Sequence, residues 1–288
     1  MPYALHKNRK KCYSIIILSD RTAGKMDSEQ ITEKNTDTER ILNIAIEAGR
    51  ILLENGAEIF RVEETMERIT GHYGMEKRDF YVLTNGIFAT GNSFAAVRQI
   101  SVSSGARLDK IVAVNQLSRE IAEGRYTPSE AEERLEQIRS MRDKRPIMQI
   151  LASGVGSAGF SVLFGGSPMD AAVAFAAGII LYIYILYVAN PHLSKIPGNI
   201  FGSALVTFIC IFCYRLGIGE GLSHMVIGAV IPLIPGVEFA NGVRDIAYGD
   251  YLSGFIRLLD AILVFVSIAI GVGVVFLIYG HAFGGTII

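Results

Sequence analysis

Long runs without charge fill the second half of this 288-residue chain. Only ten Lys, Arg, Asp and Glu residues lie after Pro146, whereas the first half is densely charged. A helix needs about 17 to 25 mostly apolar residues to cross the hydrocarbon core of a bilayer. Five runs come near that length, namely 146–169, 171–194, 196–214, 221–237 and 261–288. The sequence therefore predicts an α-helical membrane protein, with about five transmembrane helices in residues 146–288.

The fourth run is the shortest, and it contains residues that interrupt helices. Pro232, Pro235 and Gly236 lie close together in the segment 230–250, and charged residues follow them. Proline removes a backbone donor from a helix, and hydrocarbon offers no water to replace the lost hydrogen bond. Helix breakers are therefore tolerated at membrane depth only where the chain is buried in protein or lines a watery cavity. We predict that this span is broken or re-entrant, which leaves the span count open by one.

Helical patterns frame the first half of the chain. Apolar residues spaced for one helix face run from Asp37 to about Gly71, and Asn55-Gly56 interrupts them. Two more helices are predicted at 108–123 and 128–141. The last of these opens with Thr127, Pro128 and Glu130, the residue types of a capping box with proline in the first turn.

A β-rich stretch separates these helices. Short apolar segments lie between Phe80 and Val102, divided by Asn85-Gly86 and by Gly91-Asn92. Such a pattern predicts a small antiparallel sheet. Either dipeptide is suited to a hairpin turn, and we favour Gly91-Asn92 although Asn-Gly is the stronger general signal. Residues 37–145 are therefore predicted to form an α+β domain, which is long enough for a core of its own.

Residues 1–36 are expected to form a poorly ordered extension. They contain a basic start, a four-residue apolar run and a polar stretch. The apolar run is shorter than the roughly 7 to 15 residues that a signal peptide needs. Met26 is an alternative start residue.

Basic residues before the first span indicate its orientation. Arg139, Arg142, Lys144 and Arg145 directly precede it, and basic residues near span ends favour the cytosolic side. The sequence therefore predicts a multi-pass protein whose N-terminal α+β domain is cytosolic.

Several other functional classes lack a supporting pattern. Basic residues are not interleaved with aromatic residues as a nucleic-acid surface requires, so no nucleic-acid partner is expected. Gly154, Gly156 and Gly159 match the spacing of a dinucleotide-binding loop, but no strand precedes them and they lie inside an apolar run. Close packing of helices in lipid explains small residues such as Gly154, Ala158 and Gly178 better.

Enzyme chemistry is not indicated either. Cys210 and Cys213 form an isolated C-x-x-C pair with no second pair at zinc spacing. The sequence contains neither a G-x-S-x-G turn nor an H-E-x-x-H motif. We therefore expect no catalytic residues, no metal site and no cofactor.

Six charged residues cluster around the fourth span and the start of the fifth. They are Glu238, Arg244, Asp245, Asp250, Arg257 and Asp260. A charge inside the bilayer costs about 2.5 to 3.5 kcal/mol on insertion scales unless it faces a cavity or a partner. One interpretation is a cytosolic loop whose charges lie at the headgroups. The other, which the prolines and glycines favour, is a binding site at a broken helix.

The same segment resembles a known family. Ile-Pro-Leu-Ile-Pro-Gly at 231–236, Asn-Gly-Val-Arg-Asp at 241–245 and Gly-Asp at 249–250 are similar to the threonine/serine exporter family. The first half agrees through Glu-Ala-Gly-Arg at 47–50, Gly-Ala-Glu at 56–58, Arg-Val-Glu at 61–63 and Asn-Gln-Leu-Ser-Arg at 115–119. The resemblance covers about residues 38–280.

This resemblance implies an exporter of small carboxylate-bearing metabolites, driven by an ion gradient, in the plasma (inner) membrane. Threonine and serine are substrates of some members, and a similar two-subunit branch exports dicarboxylates such as succinate. A small-molecule substrate, membrane lipid, a second small five-span membrane subunit and a possible higher oligomer are the partners it implies.

We assign hypothetical roles on this basis. Arg244 binds the substrate carboxylate, because a guanidinium can bind it with two parallel hydrogen bonds. Asn241 and the broken backbone around Pro232, Pro235 and Gly236 provide further polar groups. The coupling proton is expected on one of three carboxylates, namely Asp245, Asp250 or Asp260. Among them we expect Asp260 to be the best buried, which would raise its pKa.

Two alternatives from other functional classes remain open at this stage. A membrane-anchored enzyme would need a catalytic site in residues 37–145, where only paired Glu and Arg residues are seen. The chain is alternatively a membrane sensor or scaffold without transport, with a cytosolic signalling domain, and only the broken span argues against that.

Glu and Arg residues three or four apart on the N-terminal helices are interpreted first as a solvated ladder of ion pairs. A functional interpretation has Glu47, Glu54 and Glu58 gating a vestibule beneath the membrane domain.

Overall fold

A computed structural model describes residues 14–17, 28–91, 94–100, 106–142 and 145–283, with side chains described from Asp37 onward except those of Phe94 and Phe283. Part of the expected N-terminal extension is described, namely the strand Ser14–Ile17 and the start of the first helix at Ser28. Met26 lies outside the described residues. The chain forms two compact units: the first contains residues 1–141 and 240–256, and the second contains residues 142–239 and 257–288.

Four helices enclose the core of the first unit. They are α1 (Ser28–Glu54), α2 (Ile59–His72), α3 (Leu108–Ala122) and α4 (Pro128–Arg139). Their apolar faces bury large side chains such as Ile46, Leu52, Ile69 and Leu135. The predicted break between the first two helices is confirmed at Gly56, whose φ of 85° favours glycine. The predicted capping box of Thr127 and Glu130 at the start of α4 is also confirmed.

An antiparallel sheet completes this unit. Its strands are β1 (Ser14–Ile17), β2 (Arg78–Leu83), β3 (Gly86–Gly91) and β4 (Phe94–Gln99), in the order β1-β4-β3-β2. Leu83 pairs with Gly86, so the Asn85-Gly86 dipeptide lies at the β2–β3 hairpin turn. Gly91 of the favoured Gly91-Asn92 pair ends β3 and pairs with Phe94, and residue 92 lies outside the described residues. Both dipeptides thus fall at ends of hairpin strands.

The second unit is built from apolar helices. They are α5 (Pro146–Leu163), α6 (Pro168–Tyr184), a π-helical turn (Ile185–Ala189), α7 (Asn190–His192), α8 (Lys195–Arg215), α9 (Leu222–Val230) and a 3-10 turn (Ile231–Leu233). Two further helices, α10 (Gly236–Ala247) and α11 (Tyr251–Phe283), begin in one unit and end in the other.

The predicted number of membrane spans is confirmed as four to five. Four helical segments, 146–163, 168–192, 195–215 and 251–282, are long and apolar enough to cross a membrane. A fifth is the pair 222–233 and 236–247, which is bent by 64° at the Pro-Gly break. The last span differs from the prediction because its helix begins at Tyr251 rather than at residue 261. Since α11 has 33 residues, more than the roughly 20 needed to cross, its first turns can carry charge.

Small residues bring the helices of the second unit close together. A Cβ atom added at Gly154 would lie 2.9 Å from Cγ1 of Ile179, and one added at Gly228 would lie 2.6 Å from the carbonyl oxygen of Ser157. Gly156 and Gly159 would meet nothing within 4 Å. The glycine motif on α5 therefore includes a helix-packing position at Gly154, in keeping with close approach of backbones in lipid.

A buried carboxylate fixes one end of this unit. Asp170, which is 1% exposed, accepts hydrogen bonds from the backbone N–H groups of Ser167, Glu220 and Gly221. It thus caps α6 and holds the loop that precedes α9. Ser167 with Asp170 three residues later is a local signal for the cap, whereas no local pattern indicates the distant contacts.

Candidate functional site

The broken segment between α9 and α10 places the predicted residues as follows. Pro232 lies in the 3-10 turn, Pro235 follows it, and Gly236 is the first residue of α10. Pro235 has no N–H to donate, and its carbonyl oxygen accepts from the N–H of Phe239 at 3.0 Å. The break is thus a proline-induced interruption with a new helix starting directly after it.

Three predicted residues share one face of α10. Asn241, Arg244 and Asp245 are three and four positions apart, so their side chains point to the same side of the helix. All three contact the turn that joins α1 to α2. Asn241 Nδ2 donates to the carbonyl oxygen of Gly56 at 2.7 Å. This surface, formed by Asn241, Arg244 and Asp245 with the α1–α2 turn, is called the α10 seam below.

The charged residues of the α10 seam are paired. Nη1 of Arg244 donates to Oε1 of Glu58 at 2.5 Å. Asp245, which is 1% exposed, accepts from the backbone N–H of Ile59 at 3.0 Å. Because Ile59 is the first residue of α2, the carboxylate lies at the positive end of that helix, where a negative charge is stabilised.

Aromatic and glycine contacts support the seam. The rings of Phe60 and Tyr248 stack with centroids 4.8 Å apart and an interplanar angle of 7°. On the neighbouring helix, a Cβ atom added at Gly254 would lie 2.7 Å from the carbonyl oxygen of Gly242. The start of α11 therefore packs directly on the backbone of α10.

The ion-pair ladder of the N-terminal helices is confirmed in three pairs, Glu47 with Arg50, Glu58 with Arg61, and Glu64 with Arg68. The three acids considered as gating residues differ in their partners. Glu54 pairs with Arg50 on the same helix, and Glu47 pairs with Arg50 and with Arg139 of α4. Glu58 alone of the three contacts α10 among the described ion pairs.

The three proposed proton carriers occupy different environments. Asp245 of α10 is buried, and its carboxylate contacts the first residue of α2. Asp260 forms an ion pair with Lys195 at the start of α8, and 49% of its side chain is exposed. The expectation that Asp260 is the best buried of the three is therefore wrong. The reason is that α11 begins earlier than predicted, which places Asp260 within a long helix, on its outer face.

Asp250 lies in the short connection between α10 and α11, and its charge interacts with that of Glu63. Burial raises the pKa of Asp250 above its ordinary value. Burial also raises the pKa of Glu63, partly offset by the backbone N–H of Val82, and the charges of Asp250 and Glu67 raise it further. No role for Glu63 could be predicted from the sequence, because its proximity to Asp250 depends on how α10 meets α2.

The structure offers no obvious metal site in the ranges it describes. Within them, no group of three or more His, Cys, Asp or Glu side chains could hold a metal ion. Cys210 is buried on α8 and Cys213 is partly buried on the same helix. The α10 seam contains the guanidinium of Arg244, the amide of Asn241 and the carboxylates of Glu58 and Asp245.

Comparison with known proteins assigns the chain to a family. Residues 43–279 match the family model described as a putative threonine/serine exporter, a range that contains both sides of the α10 seam. The chain belongs to the threonine/serine exporter family. This confirms the resemblance seen in the sequence.

Individual family relatives are distant. The threonine/serine exporter of Corynebacterium glutamicum is 22% identical over 81% of this chain and 50% of its own length. A probable threonine/serine exporter of Mycobacterium tuberculosis is 19% identical over 88% of this chain and 47% of its own length. An uncharacterised protein of Schizosaccharomyces pombe is 25% identical over 63% of this chain and 23% of its own length.

The chain therefore spans about half the length, or less, of the curated relatives it matches. No solved structure matches it. The family and the apolar helices support a multi-pass membrane protein.

Proposed function

We propose that this chain is a subunit of a secondary-active exporter of small carboxylate-bearing metabolites. Threonine and serine are the first candidates, since two relatives carry them in their names. A dicarboxylate such as succinate is the second candidate. Arg244 binds the carboxylate, and Asn241 and the backbone around Pro232, Pro235 and Gly236 contribute polar groups.

One observation carries this proposal: the Arg244 guanidinium, which follows the break in the bent segment, already holds a carboxylate, that of Glu58. Its side chain is 61% exposed, so a small solute can reach it. A guanidinium has five N–H donors in a planar fork that matches a carboxylate. The group therefore has the chemistry of a carboxylate-binding residue.

The coupling ion is proposed to be a proton carried by Asp250, with Glu63 as its neighbour. Two nearby carboxylates that are both partly buried favour keeping one proton between them. Asp245 and Asp260 are less suited to this role. The carboxylate of Asp245 serves as a helix cap, and that of Asp260 pairs with Lys195.

The proposal includes a location and an orientation. We propose that the protein lies in the plasma (inner) membrane with its first unit in the cytosol. The basic residues Arg139, Arg142 and Arg145, which precede α5, support this orientation. In that arrangement the α10 seam lies on the side from which an exporter collects its substrate.

A second membrane subunit, with about five spans, is also proposed. Its support is the length of the relatives, which are about twice as long as the part that this chain matches. Efflux should therefore be slow with the chain alone and should increase when a protein corresponding to the unmatched half of these relatives is expressed with it. Equal efflux with and without that half would rule this part of the proposal out.

The test of the transport proposal is an efflux assay in cells that lack their own exporters. Cells are loaded with a threonine-containing dipeptide or with succinate, and efflux is compared for wild type and Arg244→Ala at equal membrane expression. Arg134→Ala is the matched control, because Arg134 is exposed on α4 and bonds to Gln137 of its own helix. We expect Arg244→Ala to abolish efflux of one solute and Arg134→Ala to leave it unchanged.

Efflux that persists in Arg244→Ala would remove this residue from the site. Equal efflux from cells with and without the chain, for both solutes and with the second subunit expressed in both, would favour the sensor or scaffold interpretation instead.

A further inference from the structure

We propose that Glu58 competes with the substrate for Arg244. Between transport events the Glu58 carboxylate occupies the guanidinium, and a substrate carboxylate replaces it on binding. This inference rests on the proposed function, in which Arg244 binds the substrate carboxylate. It adds a specificity-determining residue, because a ligand must displace Glu58 from Arg244 and therefore needs a carboxylate of its own.

The two partners of this ion pair differ strongly in exposure. The Arg244 side chain is 61% exposed, whereas that of Glu58 is 13% exposed. The guanidinium is thus accessible from outside while its present partner lies on the protein side. The hydrogen bond to Glu58 uses Nη1, and a guanidinium has further N–H donors. A second carboxylate can therefore approach Arg244 before Glu58 leaves.

Arg61 provides the reason why Glu58 can leave. Oε2 of Glu58 lies 3.6 Å from Nε of Arg61, which is three residues further along α2. A mostly buried carboxylate without a cation would be strongly destabilising. Because Glu58 has cations on two sides, it stays compensated by Arg61 when Arg244 turns to a substrate. Exchange of partners therefore does not leave a buried charge alone.

The neighbouring contacts keep the helix in place during this exchange. Asn241 bonds to Gly56, and Asp245 bonds to Ile59, on either side of Glu58 in the sequence. Both bonds involve backbone atoms of the α1–α2 turn and do not use the Arg244 guanidinium. Only the side chains of Arg244 and Glu58 need to move. The ligand class that this exchange selects is a small molecule with a free carboxylate.

The test is to remove the competing charge and measure substrate affinity. In Glu58→Gln the neutral amide binds the guanidinium more weakly, so more of the protein has Arg244 available. The apparent affinity for substrate increases as the fraction of protein with an available Arg244 increases. We therefore expect the KM for cytosolic threonine or succinate to fall roughly threefold to tenfold in this variant. Glu64→Gln, which breaks the Arg68 pair on the same helix, should leave KM unchanged.

A binding measurement on purified, full-length protein provides a readout that does not depend on transport. Stabilisation against heat by threonine and succinate is measured, with threoninamide as the probe that lacks a carboxylate. Glu58→Gln should respond to the carboxylate probes at lower concentration than wild type does. Threoninamide should have no effect on either protein.

Arg61→Ala gives an expectation of opposite sign. Without Arg61, Glu58 depends more on Arg244 and is harder to displace, so the KM should rise severalfold. In the double variant Glu58→Gln/Arg61→Ala this increase should disappear, because the charge that Arg61 compensates is gone. A purely structural role for the ion pair would not produce this reversal.

The outcomes separate this inference from the proposed function. If Arg244→Ala abolishes transport but Glu58→Gln and Arg61→Ala leave KM unchanged, competition by Glu58 is disproved while the carboxylate site stands. If Arg244→Ala transports normally, the proposed function fails first. Should Glu58→Gln prove unstable, Glu58→Asp retains the charge on a shorter side chain, and a smaller decrease in KM is expected. An unchanged KM in that folded variant would also disprove the competition.

Discussion

The carboxylate of Asp245 accepts a hydrogen bond from the backbone N–H of Ile59, which lies 186 residues earlier in the chain, at 3.0 Å. Ile59 begins α2, and the residue at the cap position, Glu58, makes no side-chain capping bond. The first N–H groups of a helix have no partner within the helix. Asp245 thus supplies a cap that the local sequence lacks, and it links α10 to the α1–α2 turn.

Replacing Asp245 should therefore destabilise the first unit. In Asp245→Ala the buried N–H of Ile59 loses its acceptor and α2 loses a negative charge at its positive end. We expect a loss of about 1 to 3 kcal/mol in the free energy of unfolding. The measurement is thermal unfolding of the purified protein. Glu238→Gln, which removes an acid from the first turn of the same helix, is the control and should change the stability less.

The distant partner of Asp245 shows where prediction from the sequence ends. The helices, the sheet and the helix break at Pro235 follow from periodicity, turn residues and proline chemistry, all of which act within about ten residues. The contacts of Asn241, Arg244 and Asp245 join residues more than 180 positions apart. No local pattern specifies such a pairing. These three residues could be proposed as binding residues from their types, but their partners on the α1–α2 turn could not be predicted.

Asp260 shows a second limit, which concerns boundaries. The predicted fifth span began at the first uncharged residue after Asp260, whereas α11 begins at Tyr251. A charged residue does not end a helix; it only makes that part unfavourable in hydrocarbon. The uncharged run therefore indicated the part of α11 suited to the bilayer rather than the whole helix. Asp260 was expected to be buried because it was placed at the edge of this run, whereas it lies on an exposed face of the longer helix.

The raised pKa of Glu63 predicts how stability depends on pH. Its folded-state pKa lies above the ordinary value of 4.5, mainly because of burial. The native state therefore retains a proton that the unfolded state has lost, so this group makes stability decrease as pH rises from the ordinary value through the folded pKa. Removing the ionisable group in Glu63→Gln should make the unfolding temperature less dependent on pH in that range.

The measurement is a series of thermal unfolding curves from about pH 4 upward, for wild type and Glu63→Gln. Glu76→Gln, which replaces an exposed acid between α2 and β2, is the control. Parallel curves for wild type and Glu63→Gln would contradict the expectation.

Asp250 and Asp260 should differ in their effect on the pH dependence of efflux. Asp250 is partly buried, and this burial raises the pKa of its carboxyl above the ordinary value. Asp260 already has a cationic partner, because it pairs with Lys195. We expect Asp250→Asn to flatten the pH profile of efflux and Asp260→Asn to preserve it. A preserved profile in Asp250→Asn would remove this residue as the proton carrier.

Gly254 and Gly273 form a matched pair on α11 for testing the packing of the seam. A Cβ atom added at Gly254 would lie 2.6 Å from Cγ1 of Ile246 and 2.7 Å from the carbonyl oxygen of Gly242, whereas one added at Gly273 would meet nothing within 4 Å. Because a backbone atom cannot move aside as a flexible side chain can, Gly254→Ala must push α11 away from α10. Such overpacking typically costs about 1 to 3 kcal/mol.

Both glycines are in the same helix, so the intrinsic gain in helix propensity on changing Gly to Ala, about 1 kcal/mol, applies to both. We expect Gly273→Ala to keep or slightly increase the unfolding temperature, and Gly254→Ala to lower it and to reduce efflux at equal expression. The displacement moves α10, whose face carries Arg244, so the loss of efflux should appear as a higher KM for the carboxylate substrate. Equal behaviour of the two variants would show that contact between α10 and α11 does not hold Arg244 in position.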